Sequence, residues 1–208
     1  METHQTYIKG RGSQLNPANR FLKNSECQLY VDDLATQEER EELLTENPRT
    51  KYIEVFPKTI LNRVESPDIG LGWSMNPYQG CEHGCIYCFA RPTHAYLGMS
   101  PGVDFESRLF AKPNAAALLA RECGAGRLRT GDSIYMSSVT DPYQPAEAHL
   151  GLTRAVLEVL LAYGVQPRLT IQTRSPLVAR DIDLLRQFER VRVSMSITTD
   201  SETVRRRY

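Results

Sequence analysis

From about residue 70 onward, short β-type runs alternate with helical patterns, and this alternation limits the possible folds more than any other feature of the sequence. The predicted strands are Gly70–Met75, Ser133–Val139, Arg168–Thr173 and Val191–Thr198. Helical periodicity lies between them, at residues 113–123 and 152–163 and again after 176–181. Strands that follow one another through helices pair in parallel. The sequence therefore predicts an α/β fold with about four βα units over residues 71–208.

Residues 1–70 form a more polar and irregular stretch, in which glycines and prolines interrupt every long period. Thr36 and Glu39 have the spacing of a capping box, which predicts one helix running to Glu46. The apolar residues between Tyr52 and Phe56 predict a short strand or strap. We therefore expect an irregular N-terminal extension, residues 1–70, followed by one larger domain.

Composition excludes several classes of protein. The chain has 208 residues, and its 25 Lys and Arg balance its 25 Asp and Glu. A net charge of zero provides no long-range basic field for binding nucleic acid without sequence preference. Hydrophobic residues make up 41%, which excludes a disordered chain. No run approaches the ~18 apolar residues of a membrane span, and the N-terminus lacks the apolar core of a signal peptide. We expect a cytoplasmic protein that does not bind membranes.

Three of the five cysteines, Cys81, Cys85 and Cys88, lie close together in the order C-x3-C-x2-C. An odd number of cysteines without a secretion signal argues against a disulfide framework and leaves these thiols available to a metal. Thiolates are soft ligands that select iron–sulfur clusters, zinc or copper. If three thiolates hold a cubane [4Fe-4S] cluster, one iron keeps an open coordination position where chemistry can occur.

Spacing alone leaves a second interpretation of the cysteine loop open. A structural zinc site would need a fourth ligand, such as His83, His94 or a distant residue. A zinc-stabilised domain or a cluster that only carries electrons would make the chain a non-catalytic iron–sulfur or zinc-binding protein. C-x3-C-x2-C is an unusual spacing for zinc, but it does not decide between the two interpretations.

The last predicted strand has an unusual alternation. Val193, Met195 and Ile197 would point one way, and the hydroxyls of Ser194, Ser196 and Thr198 would point the other way. A parallel strand that is buried on both faces should be apolar throughout. The hydroxyl row predicts either a polar ligand near the end of this strand or an edge strand with one face in water.

A resemblance to a known family rests on the loop NPYQGCEHGCIYCFARPTHAYLG, in which aromatic Tyr87 precedes the last cysteine. This loop resembles the signature of the radical S-adenosylmethionine (SAM) superfamily. The resemblance is narrowed by TDPYQPAE and RSPLVARDIDLL to proteins related to spore photoproduct lyase, often described as DNA repair photolyases. It runs from about Asn76 to Thr199, with a weaker similarity in the N-terminal GRG and NPANRF segments. It implies an enzyme with lyase or other radical chemistry on a (βα) barrel.

The resemblance also implies the cofactors. Cys81, Cys85 and Cys88 would hold a [4Fe-4S] cluster, and S-adenosyl-L-methionine would bind the fourth iron. One electron from the reduced cluster would split SAM into methionine and a 5′-deoxyadenosyl radical that abstracts hydrogen from a substrate. An electron donor such as flavodoxin or ferredoxin is implied. The substrate is unknown, and damaged DNA is a candidate by resemblance alone.

By the same resemblance, further residues are expected to contact SAM. Tyr87 would lie near the adenine, and Ser194 and Ser196 would lie near the ribose. The stretch after the second strand would meet the methionine amino group, through Ser138, Thr140 and Asp141. On composition alone, Asp141 and the proline after it would instead be interpreted as a turn.

Radical SAM barrels usually have more than four strands, so about four βα units predict a partial barrel, the N-terminal part of a radical SAM core. The chain is accordingly expected to be truncated at its C-terminus. Its last strand, Val191–Thr198, would then be an edge with unpaired backbone groups. We expect the isolated chain to be poorly soluble or to associate through that edge.

Overall fold

The structure is a computed structural model that describes residues 11–15, 17, 50–66, 68 and 72–205. The predicted helix from Thr36 to Glu46 lies outside the described residues. The described chain forms two compact units. Among the described residues, unit 1 contains those up to Tyr52 together with Gly80–Leu109, and unit 2 contains those within Ile53–Gln79 and residues 110–205. The predicted division near residue 70 stays a prediction.

Eight strands are present in the part of the chain that the structure describes. In chain order they are β1 (Lys51–Glu54), β2 (Leu61–Arg63), β3 (Trp73–Met75), β4 (Tyr78–Gln79), β5 (Arg108–Ala111), β6 (Ser133–Met136), β7 (Arg168–Thr173) and β8 (Val191–Met195).

The larger sheet has five strands in the order β2-β3-β6-β7-β8. β3, β6, β7 and β8 are parallel, and β2 runs antiparallel to β3. The prediction of an α/β fold with parallel strands is therefore confirmed, whereas the partial barrel stays a prediction. A smaller sheet has the order β1-β5-β4, with β4 and β5 antiparallel. β1 confirms the short strand predicted near Tyr52, although it ends before Val55.

The helices of the described chain are short. They are α1 (Asp104–Ser107), α2 (Ala115–Gly124), α3 (Glu147–Leu150), α4 (Leu152–Ala162), α5 (Ile182–Leu185), α6 (Glu202–Arg205) and two 3-10 helices, Arg91–Leu97 and Pro176–Asp181. None of the described helices is long and apolar enough to cross a membrane.

One face of the larger sheet carries the core. Ile134, Met136 and Ile171 are fully buried there. They belong to one hydrophobic cluster with side chains of α2 and α4, namely Leu118, Leu119, Cys123, Val156, Leu157 and Leu160. Burying each large aliphatic side chain contributes about 1.5–3 kcal/mol, so this face holds unit 2 together. Cys123 is accordingly a small core residue, as its place on an apolar helix face predicts.

β7 and α4 lie where the sequence predicts them, and most other boundaries are shorter. β6 ends at Met136 instead of Val139, because Ser137 takes the left-handed φ of 62° and turns the chain. β3 begins at Trp73, and β8 ends at Met195. α2 begins at Ala115 after Asn114, later than the start at residue 113 that the helical periodicity predicts.

The helix after β7 begins within the predicted range, and two apolar side chains at helix ends are more exposed than their helical spacing predicts. The helix after β7 begins as a 3-10 helix, capped by Ser175, whose hydroxyl accepts from the Leu177 amide at 3.2 Å. Helical spacing places Tyr163 on the same apolar stripe as Val156 and Leu160, but Tyr163 lies beyond the end of α4 and is half exposed. Helical spacing also groups Ile182 with Leu185 and Phe188, which are buried, but Ile182 is 44% exposed.

Candidate functional site

The cysteine loop of unit 1 turns on two glycines with left-handed backbone, Gly80 with φ 77° and Gly84 with φ 61°. A Cβ at Gly80 would lie 2.9 Å from both the Phe105 carbonyl oxygen and Cε1 of His94. No side chain fits in that space without moving the backbone of α1. Glycine at this position therefore satisfies both the conformation and the close approach.

The three thiols of the loop differ in exposure. Cys81 is buried, and Cys85 and Cys88 are half-buried; none of the three is in a disulfide. The Cys81 amide donates to the Phe105 carbonyl at 3.0 Å, and the Cys88 amide donates to the Cys85 carbonyl at 3.2 Å. Burial raises the pKa of the Cys88 thiol. A metal that binds these thiols has to displace their protons.

A buried ion pair stands behind the loop. The Arg91 guanidinium pairs with the Glu106 carboxylate, whose side chain is fully buried. The same guanidinium donates to the Cys85 carbonyl at 2.9 Å and to the Gly102 carbonyl at 3.2 Å. It also lies over the Phe105 ring, 5.6 Å from the ring centroid. The backbone at Cys85 is thus held by an ion pair whose carboxylate is fully buried and whose guanidinium side chain is 13% exposed.

His94, a candidate zinc ligand by sequence, is a core residue of unit 1. Its side chain is fully buried, and Nε2 donates to the Arg108 carbonyl at 2.9 Å. Its ring meets the Phe105 ring edge-on at 5.1 Å. Burial lowers its pKa, which favours the neutral ring. Among the described residues, no group of three or more His, Cys, Asp and Glu side chains is arranged to hold a single ion.

In unit 2, the loop that follows β6 carries Ser138, Thr140 and Asp141. Ser138 and Thr140 are half-buried, whereas the Asp141 carboxylate is buried. That carboxylate accepts from the Tyr143 amide at 2.8 Å, the Thr173 hydroxyl at 2.6 Å and the Arg174 amide at 2.8 Å. Asp141 therefore joins the loop after β6 to the end of β7.

Glu147, from the same TDPYQPAE segment, is the centre of a second buried network in unit 2. Its fully buried carboxylate accepts from the Tyr78 hydroxyl at 2.5 Å, the Thr153 amide at 2.9 Å and the Arg180 guanidinium at 2.6 Å. Arg180 also pairs with the buried Asp181 at 2.8 Å. Asp141 thus joins the C-terminal ends of β6 and β7, whereas Glu147 joins β4, the start of α4 and the 3-10 helix Pro176–Asp181.

A hydrogen-bonded polar row crosses the face of the larger sheet opposite the core. The Tyr135 hydroxyl donates to the Gln172 amide oxygen, and the Gln172 amide group donates to the Ser196 hydroxyl at 3.1 Å. Ser194 stands beside Gln172 in the register of β7 and β8. Ser194 and Ser196 are half-buried, whereas Met195 and Ile197 are exposed. The structure therefore gathers the two predicted serines on a polar sheet face.

The sequence matches the model of one protein family, described as the radical SAM superfamily, over residues 75–208. The chain belongs to the radical SAM superfamily. The match includes the cysteine loop, the loop after β6 and the polar row of β6, β7 and β8.

The radical SAM chain is also similar to several uncharacterized proteins. One from Mycobacterium tuberculosis is 37% identical over 149 residues, which are 71% of this chain and 43% of that protein. One from Methanocaldococcus jannaschii is 31% identical over 151 residues, 73% of this chain and 53% of that protein. One from Acidianus two-tailed virus is 32% identical over 151 residues, 68% of this chain and 48% of that protein. The chain thus spans about half the length of these curated relatives. No solved structure matches it.

The cysteine loop of this radical SAM chain fits a [4Fe-4S] cluster in its chemistry. It presents three soft donors outside any disulfide, and a cubane cluster binds each of three thiolates through a different iron. Gly80 and Gly84 have left-handed backbone and no side chain, so the loop can turn closely at both positions. Tyr87 is 57% exposed and the neighbouring Phe89 is 80% exposed, so aromatic surface is available beside the thiols.

Sequence reasoning missed Arg91 and Glu106. They are 15 residues apart, and neither stands in a recognisable spacing, so no local pattern predicts their pairing. It also missed the structural use of Asp141 and Glu147. The segment TDPYQPAE could have indicated this use. Its two acidic residues lie among turn-forming residues, where a carboxylate can accept hydrogen bonds from nearby backbone amides.

Proposed function

We propose that Cys81, Cys85 and Cys88 hold a [4Fe-4S] cluster that acts together with SAM. The observation that carries the proposal is a three-thiol loop, C-x3-C-x2-C, inside the region that matches the radical SAM superfamily. When bound, the cluster and SAM supply reductive SAM cleavage and hydrogen abstraction from an unreactive substrate carbon. The protein's own part is to orient the thiolates, bind SAM and exclude water.

The residues proposed to bind SAM divide into two groups. In unit 1, Tyr87 is the candidate for contact with the adenine, because it is exposed beside the cysteines. In unit 2, Ser138 and Thr140 are candidates for the methionine amino group, and Ser194 and Ser196 are candidates for the ribose hydroxyls. Hydroxyls suit both tasks, since each can donate and accept.

Asp141 takes an indirect part in this proposal. Three donors of unit 2 already occupy its carboxylate. We therefore assign it the task of fixing the loop that carries Ser138 and Thr140. Its charge also supplies a negative potential near that loop, which favours an ammonium group.

We further propose that the protein acts in the cytoplasm, in the spore photoproduct lyase-like group, with an electron donor such as flavodoxin or ferredoxin. A reducing compartment keeps the cluster thiols available. The DNA-lesion substrate and lyase chemistry rest on the family resemblance stated above. The balanced charge of the chain adds no support for a DNA substrate.

Anaerobic reconstitution with iron and sulfide tests the cluster. The expected protein is brown, binds iron and sulfide in equal amounts, and in its reduced form gives an EPR signal that SAM changes. Cys85→Ala should lose the cluster, and Cys123→Ala, which removes a core thiol, should keep it. A colourless protein with one tightly bound zinc would reject the proposal. A coloured protein whose EPR signal ignores SAM would indicate an electron carrier.

SAM cleavage tests the enzymatic part. With dithionite as reductant, the reconstituted protein should produce 5′-deoxyadenosine, and Cys85→Ala should not. Ultraviolet-irradiated and undamaged DNA then test the substrate, because a lesion substrate should increase the rate of cleavage only in the irradiated sample. Equal rates with both samples would reject the DNA-lesion assignment and leave the cluster assignment intact.

A further inference from the structure

The described N-terminal residues of unit 1 lie directly against the cysteine loop. A Cβ added at Gly12 would stand 1.9 Å from the carbonyl oxygen of Gly84 and 2.9 Å from Nη2 of Arg91. The first atom belongs to the cysteine loop, and the second belongs to the guanidinium that donates to the Cys85 carbonyl. Only a residue without a side chain permits this backbone-to-backbone contact.

The Glu106 carboxylate is the acceptor that fixes this contact. Its Oε2 accepts from the Gly12 amide at 3.1 Å, and its Oε1 accepts from the Ser13 amide at 3.1 Å and from Arg91. The Arg11 guanidinium donates to the Glu106 carbonyl at 2.7 Å and to the Thr50 hydroxyl at 3.0 Å. A fully buried carboxylate is thus satisfied by two N-terminal amides and one guanidinium.

The segment continues along the same side of unit 1. The Val103 amide donates to the Leu15 carbonyl at 3.2 Å, and the Ser100 hydroxyl donates to the Pro17 carbonyl at 2.6 Å. The described residues of this segment, 11–15 and 17, are therefore hydrogen-bonded both to α1 and to the residues just before it.

α1 connects these contacts to two of the three cysteines. The Phe105 carbonyl accepts from the Cys81 amide at 3.0 Å, and the next residue, Glu106, holds Arg91, which donates to the Cys85 carbonyl at 2.9 Å. A metal ligand is well oriented only when the groups around it are themselves fixed. The N-terminal amides complete the set of partners that fixes Arg91.

We propose that Glu106 is a positioning residue for cluster assembly. The backbone amides of Gly12 and Ser13 belong to the same hydrogen-bond network, which leads through Arg91 to the Cys85 carbonyl. The inference rests on the proposed function, because it assumes that the three thiols bind a cluster. Glu106 contacts no cofactor in this scheme. It acts through Arg91 on the backbone at Cys85, and it needs the N-terminal amides to stay satisfied.

Unit 2 offers a matched control. The Glu122 carboxylate is also buried and accepts from two consecutive backbone amides, Ile60 at 3.3 Å and Leu61 at 3.0 Å, and from Arg127 at 2.7 Å. Its partners all belong to unit 2. Replacing either glutamate by glutamine removes one charge and one acceptor from the same kind of network.

The experiment compares Glu106→Gln with Glu122→Gln, and Gly12→Ala with Gly124→Ala, which adds a methyl at a helical end where the nearest atom is 3.7 Å away. Each protein is reconstituted anaerobically, and iron content, the rate of iron loss to a chelator and the EPR signal are measured. Thermal unfolding of the apoprotein and alkylation rates of the three loop thiols are measured without metal.

We expect Glu106→Gln and Gly12→Ala to lose iron about 10-fold to 100-fold faster than wild type, the range typical of groups that orient metal ligands. Their EPR signals should shift, and Cys85 should alkylate faster in the apoprotein. Glu122→Gln and Gly124→Ala should keep the wild-type rate of iron loss, EPR signal and Cys85 alkylation rate, even if their melting temperature falls.

The outcomes separate the inference from the proposed function. If Glu106→Gln and Gly12→Ala fold and retain iron and the EPR signal like wild type, the positioning role is rejected while the cluster stands. If Glu106→Gln does not fold, Gly12→Ala decides, because it leaves the buried carboxylate intact. Loss of iron in both glutamine variants alike would show a general effect of stability and overturn the inference. Wild-type protein without iron would reject both.

Discussion

The Thr173 hydroxyl donates a 2.6 Å hydrogen bond to the buried carboxylate of Asp141, and this bond ties the end of β7 to the loop that follows β6. The Arg174 amide donates to the same carboxylate at 2.8 Å. Two neighbouring parallel strands are therefore held in register, at their C-terminal ends, by one acidic side chain. We expect the loop with Ser138 and Thr140 to lose order when this link is removed.

Asp141→Asn and Thr173→Val should lower the free energy of unfolding by about 1–3 kcal/mol each, because each leaves a buried partner unsatisfied. Equilibrium denaturation measures that loss. If Asp141 acts through the loop, both variants should also weaken SAM binding to the reconstituted protein by similar factors. A SAM affinity that falls in Asp141→Asn and stays unchanged in Thr173→Val would show that the carboxylate contacts SAM itself.

Gly80→Ala should be far more destabilising than Gly98→Ala. The two glycines have nearly the same φ, 77° and 76°, so both variants bear the strain of a left-handed alanine, about 1–2 kcal/mol. A Cβ at Gly98 meets no atom within 4 Å, whereas one at Gly80 lies within 3 Å of α1 and His94. The difference between their unfolding free energies isolates the clash, and equal losses would contradict the close packing behind Cys81.

Lys112 should make the stability of unit 2 depend on pH. Its ammonium group is buried and donates to the Asn76 carbonyl at 2.7 Å, and burial lowers its pKa from 10.5 to about 8. The unfolded chain holds this proton up to about pH 10.5, and the folded chain releases it above about pH 8, so stability rises with pH between these values. The gain from this group is up to about 3 kcal/mol.

Urea denaturation of wild type and Lys112→Met across that range measures the effect. The variant lacks the titrating group, so its stability should exceed that of wild type most at neutral pH, and the gap should narrow as pH increases toward about 10. Parallel curves for the two proteins would contradict the depressed pKa. Lys58→Met, at an exposed position, should leave the pH dependence of wild type unchanged.

β8 should mediate association of the isolated chain. Within the described residues it pairs only with β7, and its apolar row is open to water, with Met195 46% and Ile197 81% exposed. Sedimentation velocity over a concentration series should show oligomers that Met195→Lys reduces. Ala148→Lys adds the same charge at an exposed position of α3 and should leave association unchanged. Wild type that stays monomeric at every concentration would contradict the role of this edge.

Strong periodic signals were enough to predict part of the fold. β7 lies at Arg168–Thr173 as predicted, and α4 ends close to the predicted position, where Gly164 takes a left-handed φ of 63°. The cysteine loop could likewise be located by spacing alone. In each case the signal is local, because residues close together in the sequence carry the apolar spacing or cysteine spacing and the residues that end it.

Features that depend on distant partners could not be predicted. Nothing near Ser137 signals the left-handed turn that ends β6, because serine seldom adopts it. β2 is only three residues long and gains its place from pairing with β3. The Arg91–Glu106 pair and the donors on Asp141 come from separate segments, so only the folded chain brings them together.

The link between Gly12 and Glu106 also sets an order on folding, because it joins residues 94 positions apart. Contacts of such long range form slowly, after shorter loops have closed. During synthesis, residues 11–13 leave the ribosome before α1, so their amides have no Glu106 carboxylate to donate to until α1 has emerged. We therefore expect the contacts of residues 11–13 to form late, and iron delivered before then would meet a cysteine loop that lacks these contacts.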